Sequence, residues 1–287
     1  MNQNSRTPRL TRRALLGVVG GVAAGLTARV AVAGPFAVTA APAPASPAPP
    51  AELARGLLSV DHPAGGTVQL TPEANRLTRE RDGVTLWSHT GFGAEPFALN
   101  RPRGLAVQPD GTILVANTGN GELLRYDADG TPRDRVGGLL GPRAVVVSAA
   151  GELLVAETSR RRVLAFDAAL RPLGVRLSAA DGLTGPTALA VAPDGTLVVA
   201  ELSARRLLWL APGATRPTIL AMSDAPRALA FEQGVSDPCL LVALGREVHR
   251  VDAAGRLRGT LAVDADVRGL SVSATGHVSI QVDGSPA

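Results

Sequence analysis

Arginine recurs in this sequence in a spaced series. Arg55, Arg103, Arg143, Arg227 and Arg268 each stand just ahead of a short apolar run, and Thr187 takes the matching place in one further segment. A guanidinium is planar, permanently charged and forked, so it captures carboxylate or phosphate through two parallel hydrogen bonds. Five of them converging on one point would make a receptor for an anion. A second series, Asn117, Glu157 and Glu201, closes the apolar run that follows in three of these segments, with Leu244 in a later one. If these ends return to the arginines, two carboxylates partly offset the positive charge. An ordinary cross-strand pair of Arg143 with Glu157, worth well under about 1 kcal/mol, is the competing reading. In that case Glu201, which faces Thr187, reaches for Arg143 or Arg227.

Other chemistry is thin. All 29 basic residues are arginine, so there is no lysine for a phosphate loop or a Schiff base. Gly-x-Ser-x-Gly, Cys-x-x-Cys and His-Glu-x-x-His are absent. The segment Asp127–Gly130 lacks the acidic ligands that would follow in a calcium loop and reads as a turn. His62, His89, His249 and His277 fall at unrelated places in the segments and do not converge. Aromatic residues make up 3% of the chain, too few for the stacking platforms of sugar or single-stranded nucleic-acid binding. Trp87 and Trp209 fall in outer positions suited to packing. Cys239, the one cysteine, lies in an apolar run and reads as a small buried hydrophobe.

The elements that must position the two series are repeats. The stretch from Pro102 to Thr118, "PRGLAVQPDGTILVANT", returns as "PRAVVVSAAGELLVAET" from Pro142 and as "PTALAVAPDGTLVVAEL" from Pro186. Weaker copies start at Ala54, Pro226 and Val267. Each reads as two strands about a turn, and Asp110-Gly111 predicts a tight hairpin with both central residues at positive φ. A third strand follows ("ELLRYDADG", "RRVLAFDAAL", "RRLLWLAPG"), then a short fourth. Turn glycines Gly66, Gly111, Gly151, Gly195, Gly234 and Gly276 are spaced by 45, 40, 44, 39 and 42 residues. Four short antiparallel strands every forty-odd residues predict an all-β chain folded as a β-propeller. Six blades are expected, the last thin or completed by a strand from residues 35–50. A five-bladed ring, with residues 56–70 as an extra hairpin, is the alternative. In either ring the arginines begin the strand nearest the axis and so surround one channel mouth.

The run "PRGLAVQPDGTILVANTGNGELLRYDADG" resembles the NHL repeat, and the likeness extends over residues 54–284. It departs where that family carries Asp after the second strand, the place of Asn117, Glu157 and Glu201. The "PDGTLVVAE" form is also similar to exported streptogramin-lyase-like and gluconolactonase-like propellers. The first resemblance implies histidines and glutamates meeting at one face, and no such set maps here. The second implies acidic and Asn ligands for a divalent metal on the channel axis, which Asn117, Glu157 and Glu201 could imitate.

Residues 1–33 hold five arginines and no acid, with Arg12-Arg13 ahead of an Ala/Gly/Val/Leu run ending in Ala31-Val32-Ala33. This order is that of an export signal, and the paired arginines resemble the twin-arginine type. The run is too short and too broken by Arg29 for a stable membrane span. Without it, 24 arginines face 25 acids, about −1 for residues 34–287, so the net charge of +4 belongs mostly to the signal and nucleic-acid binding loses its support. Residues 34–51, with "APAPASPAPPA", form a semi-rigid spacer. Residues 52–287 are then the propeller. The expectation is an exported, cofactor-free binding module whose arginine-lined mouth takes an anionic small molecule or an acidic protein segment. A metal-dependent lyase or lactone hydrolase is the alternative.

Overall fold

The computed structural model describes residues 27–32, 38–40, 58–273 and 275–282. These form six four-stranded antiparallel sheets. Five are built from consecutive strands. Blade 2 is typical, with strands Gly104–Val107, Ile113–Asn117, Glu122–Tyr126 and Pro132–Val136 from axis to rim. The innermost strands of the other blades are Leu58–Asp61, Pro142–Val147, Ala188–Val191, Pro226–Phe231 and Val267–Val272. They stand side by side in chain order, and the last returns to the first, which closes a ring.

The sixth sheet is closed by the N-terminal part of the chain. Thr27–Val32 runs antiparallel to His277–Val282, and Val38–Ala40 pairs outside it. The expected closing strand from 35–50 is thus joined by one from further upstream, inside the range read as an export signal. Strands Leu58–Asp61 and Thr67–Thr71 belong to a full blade with Arg76–Arg81 and Val84–Thr90, not to a separate hairpin. Among the described residues no helix is long and apolar enough to cross a membrane.

Side-chain alternation explains why the blades stack. In the second strand of blade 2, Ile113 and Val115 face blade 1 and pack with Val68, Leu70 and Leu77. Their neighbours Leu114 and Ala116 face blade 3 and pack with Val145, Leu153 and Val155. With both faces covered, every residue of Ile113–Asn117, Leu153–Glu157, Leu197–Glu201 and Leu240–Leu244 is buried. The rim strand Pro132–Val136 is largely exposed. Trp87 on the rim strand of blade 1 lies against Gly130 of blade 2, and Trp209 meets Phe231 of the next blade edge-on.

The Asp110-Gly111 hairpin is built differently from the sequence expectation. Only Gly111 has positive φ, at 89°. Its N–H donates to the carbonyl of Gln108, so Pro109 and Asp110 form the corner and glycine takes the left-handed place after it. Asp110 Oδ1 accepts from the N–H of Thr112. Proline's fixed φ suits the first corner position, which is why the pattern is Pro-Asp-Gly. The same hydrogen bonds recur at Ala192–Gly195.

Candidate functional site

Arg103, Arg143, Arg227 and Arg268 line one cavity of about 600 Å³ on the propeller axis, together with Thr187. Arg55 lies outside the described residues. What turns these side chains toward the channel is a repeated irregularity in the ladder. Pro142 pairs with Glu157 and Ala144 with Ala156, which leaves Arg143 as an extra residue in a β-bulge. Arg227 and Arg268 are extra residues in the same way, between Pro226 and Ala228 and between Val267 and Gly269. The N–H groups of Arg103 and Thr187 still bond the second strand, at Ala116 and Ala200. A bulge at the start of a strand bends it and re-aims the side chain it carries.

The mouth is electrostatically unbalanced. Among the described residues neither Arg103, Arg143 nor Arg227 has an ion-pair partner, and Glu73 is the one carboxylate in the cavity lining. Arg227 Nε is buried with no hydrogen-bond partner among them. Burial, reinforced by the nearby charge of Arg103, pulls the Arg143 guanidinium below its ordinary range. Thr187 is already committed, donating to the carbonyl of Ala200 at 3.1 Å and accepting from the N–H of Leu202 at 3.3 Å. On the same face the turns after the second strands of blades 3 and 4 carry exposed Arg161 and Arg205, which add to the positive field.

Asn117, Glu157 and Glu201 do not join this site. They share the face but sit behind the mouth, fully buried, and hold the loop that leads into each blade. Asn117 Oδ1 accepts from the N–H of Asn100 at 2.8 Å, and its amide donates to the carbonyl of Ala98. Glu157 accepts from the N–H of Leu140 at 2.7 Å and from Arg160 and Arg162. Glu201 accepts from the N–H of Gly185 at 2.6 Å, from the N–H and hydroxyl of Thr184, and from Arg206. Burial pushes the Glu201 carboxyl upward, yet these donors outweigh it and the net shift is down. The expected pairing of Arg143 with Glu157, and of Glu201 with Arg143 or Arg227, is therefore replaced by pairs along the second hairpin. Glu157 stands directly opposite Arg162, and Glu201 opposite Arg206. With their oxygens occupied, these residues do not fit a divalent ion on the axis.

The histidines are dispersed. His62 is buried, with Nε2 donating to the Gly111 carbonyl and Nδ1 accepting from the N–H of Ala64, an arrangement that fits the neutral ring. Burial and then the charge of Arg79 lower its pKa, against a smaller opposing effect of Gly111. His89 bonds the carbonyl of Gly130, His249 pairs with Glu247, and His277 begins a strand in blade 6. Cys239 is buried and free. Among the described residues no three His, Cys, Asp or Glu side chains gather as a metal site.

The NHL repeat family model matches residues 99–126, which run from the loop before blade 2 through its third strand. The chain is a β-propeller in which blade 2 matches the NHL repeat. Among solved structures it is similar to a streptogramin B lyase, with a TM-score of 0.61 at 13% identity over 78% of this chain and 75% of that one. An inactive variant of virginiamycin B lyase from Staphylococcus aureus, solved with quinupristin, gives 0.61 at 12% identity, covering 80% and 79%. Hydrazine synthase of Kuenenia stuttgartiensis gives 0.64 at 13% identity, covering 82% and 75%. A search of curated proteins returns no match. At such identities the likeness is one of fold, and the fold hosts many chemistries.

Proposed function

We propose that this propeller is a binding module whose arginine-lined mouth takes an anionic small molecule or an acidic protein segment. One observation carries the reading. Arg103, Arg143 and Arg227, none with an ion-pair partner among the described residues, line one cavity beside Arg268; its one carboxylate is Glu73, and Glu157 and Glu201 are bonded to Arg162 and Arg206 instead. Holding like charges together in a partly desolvated mouth is unfavourable, and a bound carboxylate or phosphate relieves it. The test is calorimetric titration with citrate and with an Asp/Glu-rich peptide. Changing Arg103, Arg143 and Arg227 jointly to Ser is expected to abolish binding and to leave the β-rich circular dichroism spectrum intact. An unchanged affinity in a folded triple variant overturns the reading.

A lyase or lactone hydrolase has the fold likeness to streptogramin B lyase behind it. Its metal ligands would have to be residues other than Asn117, Glu157 and Glu201. A stoichiometric divalent ion in the purified protein would favour it. We further infer, from the arginine pair and apolar run at the N-terminus, that the protein is exported by the twin-arginine route.

A further inference from the structure

We infer that the ligand of the mouth is an anionic amphiphile, an oxyanion head on an apolar stem that descends the channel. This deepens the anion-binding reading and rests on it. A cavity of about 600 Å³ corresponds to some twenty waters at about 30 Å³ each, so a compact oxyanion would fill only a small part of it. What lies beyond the guanidinium tier is apolar. Leu105, Val145, Leu229 and Leu270 follow Arg103, Arg143, Arg227 and Arg268 by two residues, and all of them line the same cavity. Two residues along a strand is about 6–7 Å, so the charged and apolar tiers are separated in depth.

Between the tiers the cavity is lined by Ala144, Ala188 and Ala228, which carry no side chain larger than a methyl. The apolar tier is open on one side only, since Val145 and Leu229 are buried between blades. Leu105 and Leu270, with Leu58 of the blade between them, are only half-buried, whereas the second strands of blades 2 to 5 are buried throughout. A leucine wall kept accessible beneath a charged mouth gains by covering with a stem rather than with water. A small polyanion would satisfy the arginines and leave that wall wet.

The experiment is calorimetry on the full chain at fixed ionic strength with acetate, butanoate, hexanoate, octanoate, octyl phosphate, methyl phosphate, citrate and octanol. The expected result is an affinity that rises about fourfold per added methylene from butanoate to octanoate. Octyl phosphate should exceed methyl phosphate likewise, and uncharged octanol should bind more weakly than octanoate. Leu105→Asn with Leu270→Asn should flatten the chain-length dependence while citrate binding stays. If that double variant fails to fold, the wild-type series decides. Citrate bound through the arginines, with affinities independent of chain length, overturns the amphiphile and keeps the anion site. No binding of any anion, or binding that survives the triple serine variant, removes both.

Discussion

Replacing Glu201 by alanine separates a structural carboxylate from a ligand-binding one. The side chain is 1% exposed and accepts from the N–H groups of Thr184 and Gly185, the hydroxyl of Thr184, and Arg206. Alanine strands two backbone donors at about 1–3 kcal/mol each. It also leaves Arg206 with the carbonyl of Gly182 as its remaining partner. Relief of the desolvation of a buried carboxylate offsets part of that loss. Removing one member of a buried, hydrogen-bonded pair costs about 3–5 kcal/mol in total. For a domain of this size each kcal/mol lowers Tm by about 2–4 °C, so a drop of roughly 6–20 °C is expected. Urea denaturation followed by circular dichroism measures it, with Glu201→Gln as an intermediate case because its amide oxygen still accepts from the loop. Citrate affinity, extrapolated to the folded fraction, should stay unchanged. A stability loss below about 1 kcal/mol together with weakened citrate binding would refute the reasoning, because the carboxylate would then belong to the mouth.

Two further outcomes follow from the same geometry. The N–H of Arg256, and then the Arg256 and Arg258 guanidiniums, outweigh burial and hold the Asp252 carboxyl down to about 2. A depressed carboxylate stabilises above its unfolded pKa of about 3.9 and loses that contribution as pH falls toward the folded value. The Tm difference between wild type and Asp252→Asn should therefore be constant near neutrality and shrink between about pH 4 and pH 2; a gap independent of pH would contradict the assignment. At Gly104, an added Cβ would lie 2.9 Å from both Ala116 Cβ and Ala144 Cα, where blades 2 and 3 meet beside the axis. Gly104→Ala should cost about 1–3 kcal/mol by overpacking, visible as a lower urea midpoint with an unchanged slope.

The propeller was legible because a repeat announces itself several times over. Pro102, Pro142, Pro186 and Pro226 mark the start of four of the six inner strands, and the alternating apolar runs after them dictate stacking on both faces. The convergence of Arg103, Arg143, Arg227 and Arg268 could be placed by register alone, since equivalent positions in a ring meet at its axis. The pairing of Glu157 and Glu201 departs from the sequence expectation for a local reason. The first hairpin sets Glu157 near Arg143, but the next hairpin sets Glu157 directly opposite Arg162 and Glu201 opposite Arg206. The spacing of five residues in Glu157–Arg162 and Glu201–Arg206 is the signal that would have found it. The loops that these carboxylates tie down have no periodicity, so their donors, such as the N–H groups of Leu140 and Gly185, were invisible. The Asp110-Gly111 turn departs from expectation because Pro109 takes the first corner position and leaves only Gly111 at positive φ.

Five of the six interfaces between blades join segments adjacent in the chain, and each can form as a local event. The sixth differs in kind. There Gln281 Nε2 reaches the carbonyl of Ser59 at 3.4 Å, across 222 positions of sequence. Loop-closure entropy makes such a contact the last to form and the slowest, so the ring behaves in folding as an arc that must find its own end. The blade on one side of that seam supplies Arg268 and Leu270, and the blade on the other supplies Leu58. The mouth therefore does not exist in the open arc. A ligand in the mouth would hold the seam shut, and slower hydrogen exchange at residues 58–61 and 267–272 would register it.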